Sequence, residues 1–134
     1  MRKMKTLLVL LFAAGFFLVS SPSVHALAIA PAFNSPITLT IQPGETRYLI
    51  CTVAAKNVKA VVERLTTNGK VVGPYYFNIS GRGQYQMGNM TGTSSVQDLY
   101  FSYWDGTPGN ALLYLSTTDT TEEVTVRVTF YNVS

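Results

Sequence analysis

The stretch VTVRVTFY, residues 124–131, decides the fold. Val124, Val126, Val128 and Phe130 share one face; Thr125, Arg127, Thr129 and Tyr131 share the other. Side chains of a strand alternate between faces, so this period of two marks a half-buried antiparallel strand, dry on one side and wet on the other. The pattern recurs upstream. Ile37, Leu39 and Ile41 alternate with Thr38, Thr40 and Gln42, and TRYLICTV (46–53) follows as a second strand. Between them Pro43 fixes φ and Gly44 supplies a positive φ, which turns the chain.

The middle of the chain carries two signals. Ala54, Val58, Val61, Val62 and Leu65 recur with a helical period. LTTNGKVV (65–72) comes straight after, and its Asn68-Gly69 is a two-residue hairpin signal of type I′. Thr66 and Thr67 favour strands. The expectation is a strand from about Val58 to Thr67 entering that hairpin, with YYFNI (75–79) continuing as a strand after Gly73-Pro74. SGRGQYQMGNMTGTSS (80–95) holds four glycines and no apolar period. It is expected to be a surface excursion with at most a short strand around GQYQMG, or a binding loop whose contact residues are Arg82, Tyr85, Met87 and Met90.

VQDLYFSYW (96–104) and ALLYLSTT (111–118) are expected to be the next two strands, joined through DGTPGN (105–110). Alternation places Leu99, Phe101 and Tyr103 inward and Asp98, Tyr100, Ser102 and Trp104 outward. Ala111, Leu113 and Leu115 read as inward, with Leu112, Tyr114 and Ser116 outward. Opposed residues of a hairpin share a face. The register that satisfies this pairs Asp105 with Ala111, Ser102 with Tyr114 and Phe101 with Leu115. It gathers Tyr100, Trp104 and Tyr114 into an outward aromatic cluster beside Asp98 and Asp105. Rings that stack on sugar C–H faces and carboxylates that accept from sugar hydroxyls suit a carbohydrate. The competing expectation is that the rings are ordinary β-formers covered by a neighbouring loop or sheet.

Seven to eight strands, with turn signals every eight to twelve residues, indicate an all-β domain. The expected fold is a single antiparallel β-sandwich, jelly-roll or immunoglobulin-like, with a small closed barrel as the alternative. It would occupy residues 36–134, behind an Ala/Pro lead-in at 27–35. Ahead of both, MRKMK carries Arg2, Lys3 and Lys5, and an apolar run extends from Leu7 to Val19 before Pro22 and a set of small residues. That order describes a cleaved secretory signal peptide, residues 1–26, cut after Ala26 or Ala28. The run falls short of the roughly 20 residues of a membrane span.

Cleavage after Ala26 would remove 26 of 134 residues and leave 108. Three of the ten basic residues leave with it and none of the seven acids, so seven face seven and the net charge becomes zero. A neutral surface offers nothing to nucleic acid or to an anionic membrane. The one histidine, His25, leaves too, and with it imidazole-activated nucleophiles and His-ligated metals. The one cysteine, Cys51, has no partner for an internal disulfide and reads as a small buried hydrophobe.

No other chemistry is well formed. Asp98 and Asp105 lie on strand positions of opposite parity, which does not suit a hydrolytic carboxylate pair. DGTPGN lacks the dense acids of a calcium loop, and turn chemistry explains its residues. Asp119, Glu122 and Glu123 make a short acidic turn. Asn78, Asn89 and Asn132 head glycosylation sequons that matter only in a eukaryotic pathway. The short basic leader and the lack of disulfides fit a Gram-positive style.

The sequence therefore describes a secreted, disulfide-free, non-catalytic binding module with no cofactor and no metal. Its expected partner is an extracellular polysaccharide, met through Tyr100, Trp104, Tyr114, Asp98, Asp105, Arg82 and Tyr85. The alternative partner is a protein, in an inhibitor, toxin or matrix role, because Tyr and Trp dominate protein hot spots as well.

Overall fold

The structure, a computed structural model, describes residues 27–134. The proposed signal peptide lies outside the described residues. Those residues form nine strands and no helix: β1 Leu27–Ala30, β2 Ile37–Ile41, β3 Arg47–Cys51, β4 Asn57–Arg64, β5 Val71–Ile79, β6 Gly83–Met90, β7 Val96–Ser102, β8 Asn110–Thr117 and β9 Val124–Asn132. They make a sandwich of a four-stranded sheet, β2-β9-β4-β7, and a five-stranded sheet, β1-β3-β8-β5-β6. The all-β sandwich is as expected, with one strand more than the upper count. Every pair is antiparallel except β1, which runs parallel to β3 with Ile29 opposite Ile50. The Ala/Pro lead-in thus contains the first strand, and a cut after Ala28 would remove its first two residues.

Alternation builds the core as the sequence indicates. Val124, Val126, Val128 and Phe130 of β9 are fully buried, and β9 lies between β2 and β4. Leu99 and Phe101 of β7 meet Phe77 and Tyr75 of β5 across the layers, with ring centroids 6.3 and 5.3 Å from Phe101. Cys51 is fully buried; desolvation raises its thiol pKa, more than its contact with the Val53 carbonyl lowers it. It sits as a core hydrophobe.

Strand neighbours differ from the sequence expectation. β7 and β8 belong to opposite sheets and form no hairpin. Ser102 pairs with Asn57, and Tyr114 pairs with Tyr48. The physical reason lies in the core. Leu99 and Phe101 point inward from one layer and Ala111, Leu113 and Leu115 from the other, and parity fixes a face without fixing a neighbour. The corner between them is held by Gly109, which exchanges backbone bonds of 3.0 and 3.1 Å with Ala55.

Asn68-Gly69 makes no type I′ hairpin either. That turn needs positive φ at both residues, and only Gly69 has it, at 69°. The segment crosses from β4 to β5 in the other sheet. The Arg64 guanidinium holds it by donating to Thr66 O (2.9 Å) and Gly69 O (2.6 Å), and the Asn68 amide donates to Asp119. Gly73-Pro74 lies inside β5 instead of before it, next to a register shift between Tyr75 and Tyr76. Half of the expected loop at 80–95 is β6, an edge strand that pairs with β5 from Gly73 to Ile79. Of the eight connections, only β5–β6 stays within one sheet.

Candidate functional site

Two turns at one end of the sandwich create a cluster. The first leaves β5 at Ile79, where Arg82 N donates to Ile79 O at 2.9 Å and Gly81 takes φ 77°. It presents Arg82 and leads to Tyr85 on β6. The second follows β7. Gly106 N donates to Tyr103 O at 2.9 Å, and Gly106 at φ 79° turns the chain away. This turn lifts Trp104 and Asp105 off the strand.

The two turns interlock. Arg82 Nη1 lies 2.9 Å from Asp105 Oδ2 and 3.5 Å from Thr107 Oγ1. Its guanidinium carbon lies 5.4 Å from the Tyr103 ring centroid. Tyr103 stands between Tyr85, at 4.9 Å, and Trp104, at 5.9 Å. Trp104 is 85% exposed, the most exposed large side chain of the core-forming types. The corner is therefore a graded wall of three rings, half-buried at Tyr85 and open at Trp104, edged by a fixed carboxylate and a fixed guanidinium.

The electrostatics follow from these contacts. Asp105 is held at about 2 by the Thr107 hydroxyl first, then by Arg82 and the Thr107 amide. Arg82 is raised by the hydrogen bond to Asp105 and by Tyr103. The Tyr85–Tyr103 hydroxyl hydrogen bond is the main cause that raises Tyr85 and lowers Tyr103; the Trp104 indole lowers Tyr103 further. At neutral pH Asp105 is an ionised acceptor and Arg82 a charged donor, both oriented before any ligand arrives.

Four of the seven sequence-predicted site residues meet here: Arg82, Tyr85, Trp104 and Asp105. The other three do not. Tyr100 and Asp98 lie on the outer face of the four-stranded sheet, where Lys59 Nζ is 3.8 Å from Asp98 and 5.9 Å from the Tyr100 ring. Tyr114 lies on the outer face of the five-stranded sheet, at the opposite side of the molecule. The expected Tyr100–Trp104–Tyr114 cluster is thereby corrected: the hairpin that would have formed it does not exist. Tyr103 and Thr107 are the members that sequence reasoning missed. Parity turns Tyr103 inward, and it does pack half-buried against the core, but at the edge of the sandwich it also lines the corner, which parity alone does not reveal.

Tyr114 has its own company. Its ring stacks on Tyr48 of β3 at 4.5 Å and 28°, and meets Tyr76 of β5 at 4.9 Å and 48°. Burial first, then these two neighbours, raise its hydroxyl pKa. Leu112, outward by parity, is only 7% exposed between Ile50 and Tyr76. Among the described residues, no three of His, Cys, Asp and Glu come close enough to hold a metal ion.

No family model matches the chain, and no curated protein does. Among solved structures the chain is similar to the pre-peptidase C-terminal domain of a collagenase from Bacillus anthracis. The TM-score is 0.56 at 17% identity, over 80% of this chain and 96% of that one. The similarity is one of fold.

Proposed function

We propose that this chain is a secreted, non-catalytic binding module that takes an extracellular glycan at the Arg82–Trp104–Asp105 corner. One observation carries the proposal: Trp104 stands almost fully exposed beside a carboxylate and a guanidinium that are already locked in place. A ring face open to water gains from a sugar C–H face, and oriented donors and acceptors take the hydroxyls. Because Asp105 and Arg82 largely neutralise one another, the corner suits a neutral sugar better than an acidic one. The fold it shares with the pre-peptidase C-terminal domain of a bacterial collagenase is compatible with an extracellular setting.

The test is retention on insoluble polysaccharides. Wild type is expected to be retained, Trp104→Ala to elute early with an unchanged melting temperature, and Asp105→Asn to elute early while still folded at neutral pH. Equal retention of wild type and Trp104→Ala defeats the glycan reading. No retention of wild type on any neutral polysaccharide also defeats it and favours a protein partner.

A further inference from the structure

We infer that the outer face of the five-stranded sheet is where two copies of this chain pair. The argument does not use the aromatic corner. It begins from a contrast between the two outer faces. On the four-stranded sheet, parity turns Lys59, Glu63, Asp98 and Arg127 outward, joined as Lys59–Asp98 (3.8 Å) and Arg127–Glu63 (2.6 Å). On the five-stranded sheet, no outward strand position carries a charge. It presents Leu27 and Ile29 of β1, 57% and 52% exposed, then Tyr48, Ile50, Tyr76 and Tyr114. Outward Gln84 and Gln86 of β6 complete it with uncharged polar groups.

The occupant follows from charge and area. A two-fold contact sets a face against itself, so every charge on it meets a copy of itself or must be placed to avoid one. The charge-free face meets that condition without repulsion or buried ions. Its two ends differ in kind, apolar at β1 and amide-rich at β6, so a two-fold axis near Tyr114 sets Tyr against Tyr. Five strands about 4.8 Å apart, each roughly seven residues long at about 3.3 Å per residue, cover roughly 550 Å² per copy. Two copies would bury about 1,100 Å², just past the roughly 1,000 Å² that separates specific interfaces from incidental ones. Sheets pack face to face in this way at about 10 Å. A sugar ring fits less well. It needs a free aromatic face, and both faces of Tyr114 are taken, one by Tyr48 and one by Tyr76.

Sedimentation velocity of the full chain, from micromolar to hundreds of micromolar, tests the pairing. The proteins are wild type, Ile29→Lys, Tyr76→Lys and, on the opposite face, Val96→Lys. Wild type and Val96→Lys are expected to form dimers with equal dissociation constants, and Ile29→Lys to weaken the dimer at least tenfold. Ile29 is on a short exposed edge strand, so its variant folds even if Tyr76→Lys does not; far-ultraviolet dichroism checks both. A wild type that stays monomeric over the range overturns the inference and leaves the face to another partner. A dimer weakened by Val96→Lys and unaffected by Ile29→Lys overturns it as well.

Discussion

The Arg82 guanidinium and the Asp105 carboxylate meet at 2.9 Å across 23 residues of sequence. Arg82 belongs to the turn that enters β6 in one sheet, and Asp105 to the corner that leaves β7 in the other. The pair is exposed, so its direct contribution to stability is small. Its consequence is positional: it fixes two charges and seats Tyr103 between Tyr85 and Trp104.

Acid should weaken the fold through Asp105 and Asp119. Both carboxyls sit at about 2 against an ordinary 3.8, Asp105 mainly through Thr107 and Asp119 mainly through the Thr121 and Glu122 amides. A depressed folded-state pKa stabilises above the unfolded value and loses that contribution as pH falls through the folded one. Urea titrations from pH 5 to 2 should therefore show stability falling between about 4 and 2. Asp105→Asn and Asp119→Asn should each flatten that fall; a slope identical to wild type in both variants refutes the assignment.

Phe101 and Trp104, three residues apart, should respond oppositely to truncation. Phe101 is buried against Phe77 and Tyr75, so Phe101→Ala should cost about 3–5 kcal/mol in urea unfolding. Trp104→Ala should stay within about 0.5 kcal/mol, because the side chain is open to solvent.

Gly73→Ala should destabilise by about 1–3 kcal/mol or more. Gly73 has φ 135°, and a Cβ there would collide with the Tyr114 carbonyl oxygen on β8. Gly44→Ala provides the contrast. Its φ is 76°, but nothing lies within 4 Å of the added carbon, so its cost is the smaller one of backbone conformation alone. Equal midpoints for the two variants would show that the close approach to β8 is unimportant.

Tyr114→Ala should cost about 1–3 kcal/mol, since it removes two ring contacts at once. Tyr100→Ala, whose ring is 60% exposed on the other sheet, should cost within about 0.5 kcal/mol. Thermal melts of the pair check the ranking.

Faces were legible in the sequence; neighbours were not. Alternation put Phe130, Leu99, Phe101, Leu113 and Leu115 inside, and Tyr100 and Trp104 outside, and the structure agrees. Alternation cannot say which strand lies beside which, so the β7–β8 hairpin was a natural but mistaken inference from proximity in sequence. The site suffered the same way. Arg82, Tyr85, Trp104 and Asp105 carry the residue types of a recognition site, but Asp98 and Tyr114 share those types and lie elsewhere. Leu112 shows a further limit. Its parity is outward, yet side chains on neighbouring strands cover it, and no local pattern records that.

Seven of the eight connections cross from one layer to the other. No contiguous half of the chain can therefore complete either sheet, and β9, the last strand, occupies an interior place in the four-stranded one. A nascent or truncated chain that lacks residues 124–132 has β2 with no hydrogen-bonded neighbour and β4 with one side open. Such a topology gathers its pairings late and slowly, in the millisecond-to-second regime of non-local β-proteins. Without β9 the facing backbone edges of β2 and β4 have no hydrogen-bonded partner, so residues 124–132 decide whether the four-stranded sheet can close at all.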